Sequence, residues 1–158
     1  MNQTVKCRYK YCKHGSRDLD RNEAVLIGKS TYYHKDCFKE SRTIDKIIDT
    51  FATRVEPDPV FAALRKIVNN IVIKDKVDAE YLLFALNFAA DHKMIKHPPG
   101  LYYIAKNDRI KKEWNKLKTA EFMREEKNKK QQYINNTTRE FNYKPPKQKT
   151  ISSMFGNR

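Results

Sequence analysis

No run of apolar residues in this chain approaches the roughly 18 that a bilayer-spanning helix needs, so no membrane partner is expected. The opening MNQTVKC has no hydrophobic signal core, and the expected compartment is the cytoplasm. Glycine is scarce, with four in 158 residues. There is no glycine-rich loop to cradle a phosphate, no nucleophile elbow and no pair of carboxylates placed for acid–base work. The reading is therefore no enzyme, no catalytic residues and no small-molecule substrate. No internal repeat is visible. Acids are also few, 19 against 33 lysines and arginines, which leaves a formal charge of +14. A soluble chain this basic is expected to meet a polyanion.

Cysteine is the informative scarcity. There are three, Cys7, Cys12 and Cys37, all in the first quarter of the chain. Three cannot pair off as disulfides, and grouped cysteines in a reducing compartment point to metal. Cys7 and Cys12 form one close pair in KCRYKYCKHG, and His34 and Cys37 form another in YYHKDC. Either pair can reach one ion from a single tight turn, and three thiolates with one imidazole make a closed tetrahedral site of the structural zinc kind. His14, two residues past Cys12, is a rival fourth ligand; His34 is preferred because it supplies the matching half beside Cys37.

Between the pairs, EAVLIGKSTYY reads as two short strands, Ala24–Ile27 and Thr31–Tyr33, turning at Gly28-Lys29-Ser30. After Cys37 comes a helix whose Ile44, Ile47, Ile48 and Phe51 share one face. A knuckle, a hairpin and a second ligand pair at a helix start resemble a treble-clef zinc finger over roughly residues 5–50, and the His-x2-Cys end resembles the first half of a LIM-type finger. The resemblance implies one structural zinc. Some treble clefs carry nuclease histidines, but this hairpin has none before His34.

The fold expected is α+β, mainly α: a zinc module over residues 1–55, a helical domain over 56–126 and a basic flexible tail over 127–158. In VEPDPVF, Asp58 reads as an N-cap with Pro59 opening a helix over 59–73, its stripe formed by Val60, Leu64, Ile67, Val68 and Ile71. Lys74–Lys76 is a polar turn. A further helix spans about Asp78 to Met94, apolar on most sides and so central. Pro98-Pro99-Gly100 is a turn, and Leu101–Ile104 is either extended or one helical turn. His92 and His97 read as ordinary polar residues. A last helix begins near Asn107 or Asp108, turns Ile110, Trp114 and Leu117 to the core, and stops near Lys130.

Charge clusters in two places. Lys6, Arg8, Lys10, Lys13 and Arg17 surround the knuckle. From residue 127 onward, Lys127, Lys129, Lys130, Arg139, Lys144, Lys147, Lys149 and Arg158 face one acid, Glu140, with Tyr133, Phe141 and Tyr143 interleaved. Cations contact phosphate and rings stack on unpaired bases. DNA is the expected partner, with Lys111 and Lys112 of the last helix adding to the contact set.

The closing QKTISSMF raises a separate possibility. Gln148, Ile151, Met154 and Phe155 resemble the peptide by which replication and repair proteins dock on a DNA sliding clamp. The resemblance implies Gln148 at a pocket rim and the other three as apolar anchors. Short, lysine-rich chains of this design resemble accessory proteins of bacteriophages or bacteria, which would place a phage-encoded chain in the host cytoplasm. The expected function is a non-enzymatic DNA-binding accessory factor of replication or gene expression. The alternatives are a sequence-specific transcription regulator and a protein-interaction factor that inhibits a host enzyme.

Overall fold

The computed structural model describes residues 4–140, with side chains described through Gln132. Residues Met1–Lys116 form one compact unit, and a second begins at Leu117.

The first unit opens with two small antiparallel hairpins. Strand β1 (Thr4–Lys6) pairs with β2 (Asp18–Asp20), and β3 (Val25–Ile27) pairs with β4 (Thr31–Tyr33). The second hairpin is the one its sequence predicts. Gly28 sits at φ +65°, a conformation without penalty only for glycine, in the three-residue turn that joins the strands. The first hairpin is not apparent in the sequence, because three-residue strands with charged residues leave no alternation to read. The two are stitched together where the Arg8 N–H donates to the Tyr32 carbonyl at 2.9 Å.

Helix α1 (Lys35–Arg54) follows directly from β4. Its stripe of Ile44, Ile47, Ile48 and Phe51 is buried, as the spacing predicts, and joins the main apolar core. Thus α1 carries Cys37 at one end and core anchors along the rest. Helix α2 (Phe61–Asn69) leads into a π-helical turn (Asn70–Lys74), and α3 (Ala79–Asp91), α4 (Gly100–Lys106) and α5 (Asp108–Glu140) complete the chain. Helix α3 lies at the centre: Leu82, Ala85, Leu86 and Ala89 are wholly buried. Its N-cap is Asp78, whose carboxylate accepts the Tyr81 N–H at 2.8 Å. The segment 101–104 is helical, as part of α4. Where α4 begins, Gly100 lies so close to Ile95 that an added Cβ would stand 2.9 Å from Ile95 Cγ1.

Four expectations change. Asp58 is no N-cap. It occupies the left-handed region at φ 56°, and the cap position falls to Val60, which makes no side-chain cap bond. The residue before a proline is driven out of the right-handed helical region, and here the reversal delivers Pro59 to a buried position. Val60 is consequently 72% exposed and off the core stripe. Second, the π-helical turn lets adjacent residues Ile71 and Val72 both bury, which a regular 3.6-residue stripe does not do. Third, Leu117 is 44% exposed, and α5 continues past Lys130 to Glu140. That helix is rich in residues with high helix propensity, and ion pairs three residues apart support it: Glu113–Lys116, Lys118–Glu121 and Glu126–Lys129. Helix α3 also stops short of Met94, with His92 as C-cap and Lys93 left-handed at φ 53°.

Candidate metal centre

The four predicted ligands converge. The donor atoms of Cys7, Cys12, His34 and Cys37 all lie within 4.8 Å of one another, and the group can hold one metal ion. His34 Nδ1 stands 3.5 Å from Cys12 Sγ and 3.8 Å from Cys37 Sγ. All three cysteines are free thiols.

Local structure explains each placement. The Cys7 N–H donates to the Arg17 carbonyl at 2.8 Å and the Cys12 N–H donates back to the Tyr9 carbonyl at 3.2 Å, which folds the knuckle. His34 is the extended residue that precedes α1. Cys37 lies in the first turn of α1, which brings its thiol back to the imidazole of His34.

The knuckle is anchored to α1 through Glu40. Tyr9, 8% exposed, donates its hydroxyl hydrogen to Glu40 Oε1 at 2.9 Å, and Lys13 Nζ pairs with Glu40 Oε2 at 2.5 Å. Tyr9 also packs edge-on against Tyr11, 5.9 Å between ring centres. The Tyr9 hydroxyl is held well above its ordinary value, by burial first and by Glu40 second.

The thiols differ from one another. Burial opposes ionisation of Cys7, but N–H groups of the His34 and Tyr9 backbone and the neighbouring thiols bring it below the ordinary value. Burial, with the adjoining thiols, pushes Cys37 up to about 12. Burial and then the nearby His14 hold His34 below the usual range, which favours the neutral imidazole that a metal needs. His14 itself is outside the donor group. Its ring stacks on that of His34, 3.9 Å between centres and 27° from parallel. His92 and His97 take no part either: His92 Nδ1 lies 2.8 Å from the Phe88 carbonyl and His97 Nδ1 lies 3.8 Å from Glu56 Oε2.

The predicted nucleic-acid contacts fall into separate places. Lys6, Arg8 and Lys10 are exposed at alternate positions, while Cys7 and Tyr9 between them are buried. That alternation directs the thiol to the donor group and the cations to solvent. None of the three forms an ion pair among the described residues, whereas Lys13 is engaged by Glu40. Lys111 and Lys112 are exposed near the start of α5. Lys127, Lys129 and Lys130 are exposed along its later turns, in the second unit, with Lys129 pairing at 3.7 Å with Glu126. The Arg139 side chain, Lys144 and the docking residues Gln148, Ile151, Met154 and Phe155 lie outside the described residues.

Three features of the site were missed in the sequence: the Glu40 anchor, the His14–His34 stack, and Arg21, whose guanidinium lies 5.9 Å from the centre of the Tyr32 ring. Only the alternation in KCRYK could have signalled the division between metal and solvent faces. No helix among the described residues is long and apolar enough to cross a membrane. No family model matches the chain, and neither the curated proteins nor the solved structures contain a significant match to it.

Proposed function

We propose that this chain is a non-enzymatic accessory factor in DNA replication or gene expression, with a treble-clef-like module that holds one structural zinc ion and presents cations to nucleic acid. The observation that carries the reading is a four-donor group whose Cys7 alternates along the chain with the exposed Lys6, Arg8 and Lys10. Zinc fits the donors. With Zn–S of about 2.3 Å and Zn–N of about 2.0–2.1 Å, a tetrahedron has sulfur–nitrogen edges of about 3.6 Å, against 3.5 Å for Cys12 and 3.8 Å for Cys37 here, in a group whose donors all lie within 4.8 Å of one another. Three thiols and a neutral imidazole are the ligand class zinc prefers, and four protein donors complete its shell, as in structural rather than catalytic sites. Zinc supplies folding free energy there: it binds the knuckle to the start of α1, which the short hairpins alone could not order.

Lys6, Arg8 and Lys10 then stand exposed on the knuckle, where phosphate can reach them. The cations of α5 and of the segment from Lys127 to Lys149 enlarge the phosphate-binding potential. The peptide containing Gln148, Ile151, Met154 and Phe155 would dock on a sliding clamp or a similar hub; its support is its sequence alone.

Two measurements test the reading together. Protein purified without chelator should contain one zinc per chain, and labelled DNA should bind with an affinity that falls steeply with salt. Absence of bound metal would remove the zinc assignment. Metal without nucleic-acid binding at low salt would favour the alternative of a factor that acts on a protein partner.

A further inference from the structure

We infer that the β3–β4 hairpin is a stacking platform for single-stranded nucleic acid, with an unpaired base on Tyr32. This rests on the nucleic-acid reading above and names the form of its ligand. Leu26 and Tyr32 are register partners across the hairpin. Leu26 is 51% exposed, and Tyr32 is partly buried. An apolar side chain and a ring side by side on a solvent-facing ribbon offer a flat surface for a base face. Arg21 lies over the Tyr32 ring at 5.9 Å and adds a second planar group, one that can stack and carry charge. Lys10, 5.5 Å from the Tyr11 ring centre, makes a second cation–ring pair on the knuckle.

The surrounding charge suits a polyanion. Arg8 is tied to this hairpin through its backbone N–H, which donates to the Tyr32 carbonyl, and its exposed side chain has no ion-pair partner among the described residues. Phosphates of an extended strand therefore have Arg21 at the Tyr32 ring and Arg8 on the adjoining knuckle. A duplex hides its base faces and leaves Tyr32 and Leu26 nothing to bind.

The test is a comparison, on the full metal-loaded chain, of one mixed-sequence oligonucleotide as single-stranded DNA, as single-stranded RNA and as a DNA duplex. The single strands should bind more tightly than the duplex, and the two sugars separate a DNA ligand from an RNA one. Tyr32→Ala should weaken single-strand binding by about tenfold, within the range for a base stacked on an aromatic ring. It should leave the salt slope unchanged, whereas Arg8→Ala should lower the slope. Tyr32→Phe should retain wild-type affinity, because the ring rather than the hydroxyl is used. As a second measurement on the wild-type chain, a photoactivatable halouracil strand should cross-link to Tyr32. Duplex binding as tight as single-strand binding, or a cross-link confined to other peptides, would overturn the platform and leave the nucleic-acid reading standing. No binding of any oligonucleotide at low salt would remove both.

Discussion

Cys37 is the residue on which the metal group and the helical body meet. Its thiol belongs to the donor group, and its backbone belongs to the first turn of α1. Cys37→Ser should abolish stoichiometric metal, and metal analysis of the purified variant checks this. His14→Ala is the matched control. His14 stacks on His34 without joining the donor group, so the variant should keep its metal. Loss of metal in that variant would make His14 the ligand. Glu40→Ala removes the acceptor for a buried tyrosine hydroxyl. An unsatisfied buried donor costs about 1–3 kcal/mol, and the loss should appear as a lower denaturation midpoint of the metal-bound protein. The direction of pH dependence also follows from the thiols. The raised value of Cys37 keeps its proton on at neutral pH in the metal-free chain. Metal must displace that proton, so affinity should rise from mildly acidic to mildly alkaline buffer, which a competition titration with a chromophoric chelator would measure.

At the scale of elements, α1 serves two purposes along one axis. Its early residues Cys37 and Glu40 order the knuckle, and Ile44, Ile47, Ile48 and Phe51 fill the core shared with α2, α3 and α4. Phe51 is wholly buried. Phe51→Ala should destabilise the first unit by about 3–5 kcal/mol, read by chemical denaturation, since a buried aromatic leaves both a transfer loss and a cavity. Asp78→Ala should cost about 1 kcal/mol, because it removes the acceptor for the Tyr81 N–H at the start of α3. Helix α5 differs in kind. Beyond Trp114 it gains little from burial, with Leu117, Phe122 and Met123 all exposed, and its charged pairs and residue propensities carry it instead.

For the whole molecule the charge of +14 is the governing quantity. If nucleic acid is bound mainly through phosphate, the logarithm of affinity should fall linearly with the logarithm of salt. The slope is about 0.7 per phosphate neutralised on a single strand and about 0.9 on a duplex. Deleting the segment from Lys127 onward should flatten that slope. Chelation of the metal should act locally: the short hairpins lose their organising centre, while the wholly buried cluster around Leu64, Leu82, Leu86 and Leu101 persists. Far-ultraviolet circular dichroism should then retain most of its helical signal as the metal is withdrawn.

The sequence by itself determined the donor set, the second hairpin, the buried stripe of α1 and the central place of α3. These depend on close spacing, a glycine turn and helical periodicity, all of which are local. Tertiary structure decided what depends on distant partners. Glu40 reads as one charged helix residue among many until Tyr9 and Lys13 are folded against it. His14 is a rival to the preferred His34 in sequence, and the fold places His34 in the donor group and His14 outside it as a stacking partner. Asp58 carries every local sign of a cap, yet the reversal that buries Pro59 moves the cap to Val60. Likewise Tyr32 belongs to an unremarkable strand until the fold places Leu26 beside it, Arg21 over it and Arg8 against its backbone. Local signals specify elements because backbone periodicity is short-ranged. Surfaces and anchors are set by which elements meet, and that is decided by burial over the whole chain.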